Sequence, residues 1–213
     1  MFVAALLPLL QLLVRTLGLG GASLGANPVS ALTDALGLWA LRLLLATLAL
    51  TPLRYLTGTA DWLRHRRMLG LFAFCYATLH VAMYFVVDQR FALKVLVEDI
   101  AKRPWITLGL CAFLILLLLA LTSTGRAMRL LGRNWQRLHY GVYLAALTAC
   151  WHYYWQVKRD VRAPLAYAAV FALLMAVRAL RAWSRARAAA RAASVTARSA
   201  PTTAPERSAA PAP

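Results

Sequence analysis

Acidic residues are scarce in this chain: 7 Asp plus Glu stand against 24 Lys plus Arg in 213 residues, a net charge of +17 with histidine neutral. All seven acids lie in or beside connecting segments or in the C-terminal tail, which leaves no carboxylate pair in a core for general acid–base chemistry. Cysteine is scarce as well. Cys75, Cys111 and Cys150 each sit inside an apolar run without C-x-x-C spacing, so they indicate neither a disulfide nor a thiolate metal site and read as small buried hydrophobes. No P-loop or G-x-G-x-x-G occurs, and the apolar runs leave no room for a nucleotide-binding domain. A strongly basic balance can mean nucleic acid. Here only 15% of residues are charged and they lie between long apolar runs rather than on a polar face, which reads as membrane and not as nucleic-acid binding.

What the chain has in quantity is hydrocarbon. Its hydrophobic fraction is 62% and its mean hydropathy +0.61, whereas a soluble domain is about half apolar. The pattern predicts an all-α polytopic membrane bundle of six transmembrane helices. The first runs from Phe2 to about Leu19 and lacks the basic lead of a signal peptide. Gly18 to Pro28 is a turn-rich connector. The second helix covers about Leu36 to Tyr55, with Thr51-Pro52 favouring a kink or stop. A polar stretch from Thr57 to Arg67 precedes the third, Met68 to Val87. A mixed-charge connector from Asp88 to Arg103, with a short amphipathic piece, leads to the fourth, Pro104 to Leu121. Gly125 to Arg137 is a basic connector, Leu138 to Trp155 the fifth helix and Pro164 to Trp183 the sixth. Trp62, Trp105, Trp135, Trp155 and Trp183 fall at predicted ends, as an interfacial aromatic belt requires.

The organisation is therefore a membrane domain over residues 1–183 and a tail over 184–213. The tail is Ala/Arg-rich, helical to about Ala193, and disordered through its Pro/Ser/Thr-rich remainder. Its arginines suit anionic lipid head groups or act as topology determinants. Basic residues set the orientation. With the N-terminus inside, Arg54, Arg64, Arg66, Arg67, Arg126, Arg129, Arg133, Arg137 and the seven arginines from Arg178 to Arg207 are cytoplasmic. The outer connectors hold seven basic residues partly offset by four acids. Both termini are thus expected in the cytoplasm.

Ionisable groups within membrane-length segments are costly and mark sites. His80 stands a little over three helical turns past Met68, and His152 just under four past Leu138. The two imidazoles therefore fall at similar depth in the outer half of the bilayer. Two buried histidines at matched depth need either hydrogen-bond partners or a metal, and an iron held by histidines from two helices is one solution. His139 lies at the inner end, about 20 Å of helix before His152. That interval is about 3.6 turns, so a tilt or π-bulge is needed to aim both rings at one interior. His139 alone reads either as a ligand or as an interfacial hydrogen-bonding residue. His65, flanked by arginines, reads as a solvated surface residue. Arg66 precedes His80 by about four turns and so shares its face.

Several motifs in order carry a family resemblance. They are Leu24-Gly-Ala-Asn-Pro-Val29, Leu50-Thr-Pro-Leu-Arg54, Arg66-Arg-Met-Leu-Gly-Leu71 with His80, Arg103-Pro-Trp-Ile-Thr-Leu-Gly109, Leu121-Thr-Ser-Thr124, and Asn134-Trp-Gln-Arg-Leu-His139 with His152. Together, over roughly Leu17 to Trp183, they resemble the haem-binding membrane subunits of the periplasmic protein-methionine-sulfoxide reductase system, the MsrQ family (formerly YedZ), within the ferric-reductase-like transmembrane group. The resemblance implies a b-type cytochrome of the bacterial inner membrane, not an enzyme on its own. It would pass electrons from the quinone pool to a periplasmic molybdopterin-containing catalytic subunit that reduces methionine sulfoxide. It implies haem-iron ligation by His80, His139 and His152, with one haem or two. Arg66 stands about where two-haem relatives carry an inner histidine on the third helix, so the inner site would rest on His139 with a non-histidine partner. Family members are also reported to bind FMN, and no residue of this chain is assigned to it. The residues alone leave two other readings: a haem subunit of a different respiratory complex, and a haem-free structural or transport protein.

Overall fold

The computed structural model describes residues 1–19, 25–88, 93–157 and 160–199. Among these there is no strand; nine α-helices follow one another, with one 3₁₀ turn and one π-helical turn between them. The chain is a membrane helix bundle of the all-α class.

Helix α1 (Phe2–Thr16) is short and apolar. Helix α2 (Pro28–Thr57) starts well before the expected point at Leu36. Asn27 explains the early start. Its side chain accepts a hydrogen bond from the Ser30 N–H at 3.2 Å, and Pro28 fills the first helical position, where its missing N–H costs nothing. Pro52 does not stop the helix, because neighbours can re-satisfy a freed carbonyl in a spanning helix. The end comes at Gly58, whose left-handed φ of 73° closes the last turn by an N–H bond to the Arg54 carbonyl.

A 3₁₀ turn (Asp61–His65) leads into α3 (Arg66–Ala82), and a π-helical turn (Met83–Asp88) follows it. The amphipathic piece expected in the next connector is α4 (Leu93–Lys102). Its Asp99 is buried, accepting from the Tyr84 hydroxyl at 2.7 Å and pairing with Arg103 Nε at 3.2 Å. Helix α5 (Pro104–Leu121) has the expected bounds. The basic connector folds as two short helices, α6 (Gly125–Leu131) and α7 (Arg133–His139), separated by Gly132 at φ 49°. The helix expected from Leu138 begins at Gly141 instead: α8 is Gly141–Gln156, and the chain breaks at Tyr140. A Cβ on Gly141 would stand 3.4 Å from Ile115 Cγ2, so this end of α8 lies tight against α5.

Two antiparallel pairs make the frame. In α2–α3, Thr33 lies by His80 and Thr47 by Gly70; in α5–α8, Trp105 lies by His152 and Ile115 by Gly141. Ala40, Ala73, Ala77, Ala112, Ala145 and Ala146 are all buried on these four helices. Small residues let helix backbones approach closely in lipid, where packing rather than water exclusion drives association. Phe74 of α3 stacks on Phe113 of α5 at 6.0 Å, joining the pairs. Helix α1 is attached by the buried Tyr76, whose hydroxyl donates to the Ala5 carbonyl at 2.8 Å.

Helix α9 runs Arg162–Ser199, past the expected end near Ala193. Its residues through Leu174 belong to the bundle, and a second unit begins at Met175. Within that unit the Arg187 guanidinium lies 3.6 Å over the Trp183 ring. The disorder expected after about Ala193 does not begin there, since the helix continues to Ser199; the rest of that expectation lies outside the described residues.

Among the described residues, four helices are long and apolar enough to cross a bilayer: α2, α3 with its flanking turns, α5 and α9. The other two expected spans, α1 at 15 residues and α8 at 16, are shorter than the roughly 20 of a straight crossing. The expectation of three buried cysteines needs correction. Cys150 is buried, but Cys75 and Cys111 face outward, the side that lipid covers in a spanning helix.

Candidate metal centre

The bundle brings His80 of α3 and His152 of α8 together: their ring centroids are 6.3 Å apart and their planes cross at 75°. Each ring is tied through Nδ1 to a neighbouring helix. His80 Nδ1 is 2.8 Å from the Thr33 carbonyl on α2, and His152 Nδ1 is 2.6 Å from the Trp105 carbonyl on α5. A carbonyl only accepts, so each Nδ1 carries its proton and each Nε2 keeps its lone pair. Metal-bound histidines show this arrangement, the second nitrogen donating to a carbonyl that fixes tautomer and ring plane.

Distance tests the fit. An imidazole nitrogen sits about 2.0–2.1 Å from a first-row metal and about 1.1 Å from its own ring centre, so two rings on opposite sides of one metal have centres about 6.2–6.4 Å apart. The observed separation lies in that interval. Two nitrogens are too few for a bare ion, and among the described residues no group of three or more His, Cys, Asp or Glu converges. A porphyrin iron, with four in-plane donors of its own, asks the protein for two axial ligands. The donor set fits haem.

Two glycines complete the arrangement. A Cβ on Gly37 would lie 2.9 Å from both Cε1 and Nδ1 of His80, and one on Gly109 would lie 2.8 Å from Nδ1 and 2.9 Å from Cε1 of His152. The rings therefore rest on bare helix backbone. One constant shift along the chain carries Thr33, Gly37 and His80 onto Trp105, Gly109 and His152. In each set the histidine and its carbonyl are separated by |i−j|=47. The two halves of the site are built alike.

Comparison with known proteins settles the family. Residues 36–150 match the model of the ferric reductase like transmembrane component. The chain is 50% identical over 172 residues to the protein-methionine-sulfoxide reductase heme-binding subunit MsrQ of Xanthomonas oryzae pv. oryzae, covering 81% of this chain and 79% of the relative. The subunit of the same name from Bordetella pertussis is 46% identical over 194 residues, 90% of this chain and 92% of the relative. The chain belongs to the MsrQ family. Xanthomonas campestris pv. campestris has a further such subunit, 50% identical over 172 residues, 81% of this chain and 79% of the relative.

Other residues singled out from the sequence fall at the opposite end of this MsrQ-family bundle. His139 closes α7, ahead of the break at Tyr140, and is not gathered with His80 and His152. Its Nδ1 is 3.0 Å from the Trp135 carbonyl, its ring stacks on Trp135 at 3.9 Å, and its Nε2 is 3.5 Å from Ser123 Oγ. Arg66 is the first residue of α3. The break at Tyr140 puts the two histidines on separate helices, His139 at the end of α7 and His152 on α8. The π-helical turn occurs in the other pair, directly after α3. His65 is not the solvated residue expected. It is half-buried, and its Nδ1 is shielded with no hydrogen-bond partner.

Sequence reasoning missed Thr33, Trp105, Gly37 and Gly109. Thr33 and Trp105 act through backbone carbonyls, which no side chain advertises. The glycines left one trace, the repeated Leu-Gly at Leu36-Gly37 and Leu108-Gly109, each the same interval ahead of a histidine.

Proposed function

We propose that this protein is a six-span b-type cytochrome of the bacterial inner membrane, both termini cytoplasmic, serving as the electron-transfer subunit of a protein-methionine-sulfoxide reductase. The observation that carries this reading is the 6.3 Å separation of the His80 and His152 rings, each with Nδ1 anchored to a carbonyl and Nε2 left for iron. The relatives bearing the MsrQ name are heme-binding subunits of such a system, which supports both the cofactor and the role.

His80 and His152 hold one haem at the outer level of the bundle. His139, with Arg66 in place of a second histidine, serves an inner site. When bound, haem supplies a one-electron carrier of adjustable potential. The protein's own residues do the rest. The Thr33 and Trp105 carbonyls hold each ring's tautomer, which would leave Nε2 of His80 and of His152 to hold the iron. Electrons enter from quinol, which reaches the bundle through the bilayer. They leave to a periplasmic molybdopterin-containing subunit docked on the outer connectors. The arginines of α6 and α7 give the cytoplasmic edge a cationic surface suited to a quinone head group or an FMN phosphate.

Reduction by a quinol analogue of the detergent-purified protein, followed by reoxidation on adding the oxidised molybdopterin partner and turnover with methionine sulfoxide, tests the route. Haem that ignores quinol but is reduced by NAD(P)H through a cytoplasmic flavoreductase overturns the quinol source. Haem that the partner fails to reoxidise overturns the assigned acceptor. Absence of any haem spectrum overturns the whole reading.

A further inference from the structure

From the contacts around the two histidines we infer that Gly37 and Gly109 are positioning residues that set where the axial imidazoles stand and the angle at which their planes cross. This rests on the reading of His80 and His152 as ligands to one haem iron.

On α2 the Thr33 carbonyl and Gly37 are one turn apart, one above the other on a single helix face. Trp105 and Gly109 are placed the same way on α5. Each imidazole spans this two-point surface. Its Nδ1–H meets the carbonyl, and its Nδ1–Cε1 edge lies on the glycine backbone. A hydrogen bond alone leaves the ring free to swing about the N–H···O line. The glycine contact removes that freedom, so the ring plane follows the helix it rests on. Because the two rings rest on different helices, the 75° crossing of their planes is inherited from the helix arrangement. Neither glycine has a positive φ, so the backbone does not require glycine at these positions; the space beside the histidine does.

An alanine at either position would put a Cβ under 3.0 Å from ring atoms. Ordinary contact begins near 3.4 Å, so the ring must move by about half an ångström or more, whereas a metal–imidazole bond tolerates only about 0.2 Å. The bond stretches or breaks, and the iron loses its second axial ligand. Gly70 is the internal control. It lies in the same α2–α3 interface, but its Cβ would meet only Thr47 Cγ2 at 3.8 Å, an ordinary contact.

The test compares Gly37→Ala, Gly109→Ala and Gly70→Ala in the full-length protein purified in detergent, with haem content, EPR of the oxidised form, midpoint potential and carbon monoxide binding to the reduced form. Wild type and Gly70→Ala are expected to give the strongly anisotropic low-spin EPR signal of crossed imidazoles and to bind little carbon monoxide. Gly37→Ala and Gly109→Ala are expected to convert much of that signal to high-spin or to a different low-spin form, to shift the potential, and to raise the carbon-monoxide-reactive fraction several-fold. Unchanged spectra and no added carbon monoxide binding in both variants overturn the inference.

A double variant guards against simple misfolding. In His80→Gly, added imidazole restores a ligand not tied to the backbone, and it is expected to do so equally when Gly37→Ala is also present. Rescue that fails only in the double variant assigns Gly37 to helix packing and overturns the inference. Wild-type protein without haem, or His80→Ala with an unaltered spectrum, overturns the ligand reading beneath it and is distinguished by needing no glycine variant.

Discussion

Arg42 Nε donates to the Tyr167 hydroxyl at 2.8 Å, joining α2 to α9. The guanidinium also lies 4.7 Å from the centre of the Trp39 ring. A cation inside a spanning helix is expensive, and here an aromatic face and a phenol oxygen take the place of water. Tyr167→Phe should leave that donor unmet and cost about 1–3 kcal/mol. Thermal unfolding in detergent should show a lower midpoint with haem content per folded protein unchanged. Loss of haem with an unchanged midpoint would instead tie Tyr167 to the metal site.

Ligand substitution separates the two levels of the bundle. If the two histidines hold one iron between them, His80→Ala and His152→Ala should each abolish the same haem signal. His139→Ala should spare that signal and affect a separate, weaker one. Reduced-minus-oxidised spectra and haem quantification decide this, and a full haem complement in His80→Ala would break the pairing.

Orientation is open to a direct check. A reporter active only in the periplasm should work when fused within the Asp88–Arg103 connector and fail when fused after Trp183. The reverse pattern would place the His80–His152 level on the cytoplasmic side and disconnect it from a periplasmic acceptor.

The tail should be dispensable for the redox function. Truncation after Ala193 should keep haem content and electron transfer, because the Ser194–Pro213 composition is too polar to build a core. Normal membrane insertion with lost transfer to the partner would make the tail part of the docking surface.

The matched depth of His80 and His152 was legible because helical rise is uniform: counting from the start of each apolar run locates both rings without knowing the packing. The start of α2 was not legible. Residues 28–35 are less apolar than the run behind them, and a cap of one side chain, Asn27, decides the boundary. The break at Tyr140 was hidden for the opposite reason. The apolar pattern continues across it, and only the close approach of α5 to Gly141 marks where one helix gives way to another. A glycine in a helical run reads from sequence as a weak point. Gly37 and Gly109 show that its value can lie in what occupies the space beside it, which appears only when a second helix is in place. His65 was misjudged because its arginine neighbours suggest water, while its Nδ1, at the end of the 3₁₀ turn, is shielded.

The constant shift that relates the two hairpins bears on how such a protein could change over generations. A single hairpin with one carbonyl, one glycine and one histidine is half of a ligand set, and two identical copies facing each other would already grip an iron. Joining the copies in one chain releases each from having to match the other away from the shared centre. This chain has used that liberty at its other end. The shift that pairs His80 with His152 pairs Arg67, beside Arg66, with His139, so one hairpin offers positive charge where the other offers an imidazole. The halves are alike at the carbonyl, the glycine and the histidine, and differ at this opposite end.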